Sequence, residues 1–123
     1  KVKTHTLARD EFVASVVRVL QETQAALYGE AKARLEANIS DEFGTFADLE
    51  RYFGADDESG GFKGWARVSW SRPTGEALEK VGERLKALKL TIRNAPMAQP
   101  TAFKPCIFTG APGVEEILIA RAY

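Results

Sequence analysis

From Leu7 to Leu35 the apolar residues return every three or four positions. Phe12, Val13, Val16, Val17, Leu20, Leu27, Tyr28, Ala31 and Leu35 share one stripe of a 3.6-residue helix. This feature constrains the fold more than any other, because it commits about a quarter of the chain to one rod. At roughly 28 residues the rod is more than twice the usual length of a globular helix, as a connector or scaffold would be. Asp10 and Glu11 lie in its first turn and Lys32 and Arg34 near its end, the signs that suit the helix dipole. Gly29 weakens it locally by about 1 kcal/mol relative to alanine.

Behind the rod the periodicity changes repeatedly. Ala37-Asn38-Ile39-Ser40 reads as a short strand. Thr45-Phe46-Ala47-Asp48 has the form of a capping box, opening a helix with Phe46, Leu49 and Phe53 on its buried face and Gly54 at its end. The segment ADDESGG is a polar turn that lacks the alternating ligands and terminal glutamate of a calcium loop. Phe62 to Trp70 alternates, with Phe62, Gly64, Ala66, Val68 and Trp70 on one side and Trp65, Arg67 and Ser69 on the other, which predicts a strand. Pro73 and Thr74 then open a helix whose expected buried face is Leu78, Val81, Leu85 and Leu88. Leu90-Thr91-Ile92 is a strand ended by Asn94 and Pro96. After a proline-rich loop, Val114 to Ala122 forms a last strand, apolar on both faces and therefore central. The expected class is α+β: a long N-terminal helix followed by a two-layer β-α-β-α-β-β sandwich, with helices on one face of a small mixed sheet.

A chain of 123 residues is the size of one domain. Seventeen basic and seventeen acidic residues cancel, so the excess of positive charge that usually accompanies a grip on nucleic-acid phosphates is absent. No apolar run approaches the ~20 residues of a membrane span, and the N-terminus does not read as a signal peptide. A single cysteine can form no internal disulfide, which fits a reducing compartment. The expected location is the cytoplasm. The opening KVKTHT lacks an initiator methionine and starts in mid-alternation, as a piece of a longer chain would.

Chemistry within the chain is sparse. The one histidine, His5, stands before the first helix; Ser69 and Ser71 have no second histidine to activate them, and GGFKG lacks the spacing of a phosphate loop. Structural zinc wants four cysteine or histidine ligands, and here there is one of each, about a hundred residues apart. Cys106-Ile107-Phe108-Thr109-Gly110 nevertheless has the outline of a Cys-x-x-Cys-Gly metal hook, with threonine where the second thiolate would stand.

Three stretches together resemble the C-terminal appendix of prolyl-tRNA synthetases of the archaeal and eukaryotic type, which some bacteria also use. They are the helix TQAALYGEAKARLEANI, the run GGFKGWARVSWS with its charged helix and LTIRNAP, and PCIFTGAPGVEEILIARAY. The resemblance divides the chain into residues 1–6 (the tail of an anticodon-binding domain), 7–36 (a linker helix) and 37–123 (a counterpart of the family's zinc-binding domain). The family's four zinc cysteines fall on Ser71, Glu76, Cys106 and Thr109, so the resemblance implies a zinc-less variant, bacterial in origin. Trp70, Phe103 and Phe108 are expected to pack where the metal stands in the family, with Pro112 stiffening the turn. The parent is then implied to be a homodimeric enzyme that ligates proline to tRNA(Pro) through a prolyl-adenylate, using ATP and magnesium. Its catalytic residues lie outside this chain, which would stabilise the catalytic core and point the carboxylate of Tyr123 toward the active site. Two other readings remain. One is a free-standing RNA-binding module in which Trp65 and Arg67 form a stacking platform. The other is a protein-interaction module built on the long helix.

Overall fold

The computed structural model describes residues 6–54 and 63–121. Residues 1–5, which include His5, the ADDESGG turn, Phe62 and Tyr123 lie outside them. The chain divides into two compact units, residues 1–37 and 38–123.

The first unit is the helix α1, Arg9–Ala37, 29 residues long. It begins two residues after the expected start and ends one after the expected end. None of its residues is buried. Its turns are tied by ion pairs at helical spacing, Arg18 to Glu22 at 2.8 Å and Arg34 to Glu30 at 2.7 Å. Such exposed pairs each add only a few tenths of a kcal/mol.

The second unit runs β1 (Ile39–Ser40), α2 (Phe46–Gly54), β2 (Trp65–Trp70), α3 (Glu76–Ala87), β3 (Leu90–Asn94) and β4 (Glu115–Arg121). The predicted β-α-β-α-β-β order is present. The sheet order is β1-β2-β4-β3, with β1 and β2 parallel and both β2 and β3 antiparallel to β4. The last strand is therefore inserted between two earlier ones, and Ile117, Leu118, Ile119 and Ala120, alternating between its two faces, are all buried.

Helix α2 forms because its capping box closes. The Thr45 amide donates to Asp48 Oδ2 at 2.8 Å, and the Asp48 amide donates back to Thr45 Oγ1 at 3.3 Å. Phe46, Leu49 and Phe53 then enter the core with Val81 and Leu85 of α3, against Ala66, Val68 and Trp70 of β2 and Ile117 and Ile119 of β4. The parallel turn into β2 needs glycine at Gly64, where φ is +86° and a Cβ would lie 2.4 Å from the Asn38 carbonyl oxygen.

Helix α3 differs from the sequence reading in its start and in its buried face. Helix α3 starts at Glu76, after Gly75 at φ 57°, and not at Pro73-Thr74. Leu78 is 45% exposed even though it lies on the stripe of Val81 and Leu85. Burial on α3 is confined to its second and third turns, so spacing alone overstates the buried face. The reverse face of the sheet is covered in part by the loop between β3 and β4. Gln99 there accepts the Glu116 amide at 2.7 Å and donates to the Glu116 carbonyl at 3.1 Å. Ser69, buried on this face, accepts the Lys104 amide at 3.1 Å. A Cβ on Gly113 would stand 2.3 Å from the Lys104 carbonyl oxygen, so the loop and the entry to β4 lie in direct contact.

Candidate functional site

The end of β2 meets the metal-hook turn, and here the local backbone is tightly tied. The Cys106 amide donates to the Ala111 carbonyl at 2.8 Å and the Gly110 amide to the Cys106 carbonyl at 2.8 Å, closing the hook. The Val114 amide reaches the Trp70 carbonyl at 2.9 Å, which fastens the exit of the turn to β2. Gly110 takes φ +72°, as the fifth position of such a hook requires.

Three of the four residues singled out from the sequence converge. Ser71 Oγ and Thr109 Oγ1 are 3.0 Å apart. Both hydroxyls hydrogen-bond the Cys106 thiol, joined by the amides of Phe108 and Thr109. Burial pushes the Cys106 thiol up, but hydrogen bonding with the Ser71 and Thr109 hydroxyls and the Phe108 and Thr109 amides outweighs it and leaves its pKa below the ordinary value. The fourth residue stands apart in role. Glu76, in the first turn of α3, pairs with Lys80 at 2.7 Å and is 79% exposed.

On the other side of the hook lies an aromatic stack. Phe108 meets Trp70 edge-on at 5.6 Å between centroids and Phe46 at 5.6 Å in a tilted contact. The Arg84 guanidinium lies 3.7 Å over the Phe46 ring and reaches the Phe108 carbonyl at 3.5 Å. Phe103 does not match its expected place. It lies beside Ser69 and Gly113, on the reverse face of β2 from Trp70. Strand alternation separates them: Ser69 and Trp70 are consecutive and point to opposite sides. Arg84 and Phe46 were not legible as partners, since they are brought together only by the packing of α2 against α3.

The donor set does not fit the family's zinc. Tetrahedral structural zinc takes thiolates or imidazoles, and this corner offers one thiol and two neutral hydroxyls. Among the described residues no group of three or more His, Cys, Asp or Glu side chains could hold a metal ion. The arrangement is equally poor for catalysis. Cys106 is 2% exposed, and its partners are hydroxyls and amides, none of them a base. The Trp65 and Arg67 side chains are each half-buried, which leaves little of a stacking platform. Among the described residues no helix is long and apolar enough to cross a membrane.

No family model matches the chain. Over all of its length it is 46% identical to the proline–tRNA ligase of Sphingopyxis alaskensis, covering 22% of that protein. With the proline–tRNA ligase of Novosphingobium aromaticivorans the identity is 50% over 116 residues, 94% of this chain and 22% of the relative. Among solved structures, prolyl-tRNA synthetase from Cryptosporidium parvum, complexed with halofuginone and AMPPNP, superposes over 93% of this chain and 22% of its own, with a TM-score of 0.64 at 17% identity. The Giardia lamblia enzyme in complex with prolyl-adenylate covers 88% of this chain at a TM-score of 0.62 and 17% identity. The chain spans about a fifth of the length of the relatives it matches. It is a domain homologous to that share of the proline–tRNA ligases, with the fold of the C-terminal portion of eukaryotic-type prolyl-tRNA synthetases.

Proposed function

We propose that this chain is the C-terminal, non-catalytic domain of a proline–tRNA ligase, where it stabilises the catalytic core and positions the C-terminal tail. One observation carries the reading: all of this chain aligns at 46% identity with only 22% of a ligase. A domain that small within an enzyme, with no nucleophile–base pair among its described residues, serves the rest of the chain. The parent then charges tRNA(Pro) with proline through an adenylate, using ATP and magnesium held elsewhere, and works as a homodimer. Tyr123, which lies outside the described residues, is the tail residue in this reading.

The test has two steps. An antibody raised against this chain should reveal, in a lysate of the source cells, a band several times heavier than 13.5 kDa. That protein, purified, should support proline-dependent exchange of pyrophosphate into ATP, while the 123-residue chain alone should support none. A band at the size of the chain itself, or a heavy protein inert toward proline, would overturn the proposal.

A further inference from the structure

We infer that this domain folds without a metal, the corner of the family's zinc being held by a hydroxyl–thiol network on one side and an arginine-closed aromatic stack on the other. The inference rests on the assignment to the ligase family for its starting point, and on the geometry of this chain for its content.

A tetrahedral zinc ties together the segments that supply its ligands, and the binding energy is part of the folding energy. Here the same segments are joined by other means. Ser71, just past β2, and Thr109, in the hook, share a 3.0 Å hydrogen bond. Between them the Cys106 thiol, almost fully buried, is hydrogen-bonded with both hydroxyls and with two backbone amides. Its polar needs are therefore met within the chain, as a buried polar group requires. At the fourth position Glu76 is committed to Lys80 in the solvent-facing first turn of α3.

The stack supplies the remaining ties. Trp70 comes from β2, Phe46 from α2, Phe108 from the hook and Arg84 from α3, so four segments meet through three ring contacts and one carbonyl. Each of these contacts adds stabilisation beyond area burial, and together they tie four segments at one corner of a unit that has its own core. Neutral hydroxyls cannot replace soft anionic ligands, and a zinc at this corner would need the Ser71–Thr109 bond broken.

The test is metal content and thermal melting of the purified 123-residue chain before and after dialysis against EDTA. The expected result is no stoichiometric zinc and an unchanged Tm. About one zinc per chain, with a Tm that falls in EDTA, would overturn the inference while leaving the family assignment standing. Phe108→Ala should lower Tm by several degrees, and an unchanged Tm would remove the stack from the account. Arg84→Met, a change at an exposed position, should give a smaller drop and keeps the test readable if Phe108→Ala fails to fold; no drop would likewise count against the stack. The double variant Ser71→Cys/Thr109→Cys surrounds Cys106 with two more thiols, and it should take up roughly one zinc per chain. Failure to take up zinc would mean that these three side chains do not share the corner the inference describes.

Discussion

Arg72 adopts φ 50°, a conformation that costs a non-glycine residue roughly 1 kcal/mol or more. Its side chain offsets that strain with a two-pronged bond to Glu115, Nε at 3.0 Å and Nη2 at 2.6 Å from the two carboxylate oxygens. The pair holds the end of β2 against the start of β4, next to Ser71 and the hook. Asp48 acts on the same scale. The Thr45 hydroxyl, then the Thr45 and Gly44 amides, keep its carboxyl below the usual value of 3.8. A depressed carboxylate pKa gives stability that is complete above the unfolded value and is lost as pH falls through the folded one. Asp48→Ala should therefore lower Tm by roughly a few degrees at pH 7 and by progressively less below pH ~4. Thermal melts of both proteins across pH 2.5–7 check this, and a difference that does not shrink in acid would contradict the role given to the charge.

Among the elements, the two helices of the second unit show what periodicity can and cannot decide. Leu49 on α2 and Leu78 on α3 are equally well placed on their stripes, yet Leu49 is 0% and Leu78 45% exposed. Leu49→Ala should cost about 2–5 kcal/mol in urea unfolding, because it empties a site in the packed core. Leu78→Ala should stay within about 0.5 kcal/mol. Equal costs would show that the first turn of α3 is covered in solution. Strand β4 is the other instructive element. Its double-sided apolar run identified a central strand, and the position between β2 and β3 agrees.

On the scale of the whole molecule, the core among the described residues lies in residues 43–120, within the second unit, while α1 carries no buried residue. A chain reduced to residues 38–123 should therefore melt cooperatively with a Tm within about 5 °C of the intact chain. Loss of cooperative melting would show that α1 contributes to the core. The stripe that defines α1 leaves Phe12, Leu20, Leu27 and Tyr28 each more than half exposed.

The sequence by itself determined what depends on short-range spacing. Helix α1, the capping box at Thr45, the alternation of β2, the order of the elements and the hook around Cys106 are each written in consecutive residues, because backbone geometry repeats every two or 3.6 positions. The resemblance that located Ser71, Glu76, Cys106 and Thr109 is likewise carried by local motifs. Tertiary structure alone decided which stripe positions are buried, that Phe103 lies across the sheet from Trp70, and that Arg84 and Phe46 close a stack on Phe108. Those facts depend on how far each helix overlaps the sheet and on contacts between residues far apart in sequence, and periodicity within one element carries no record of either.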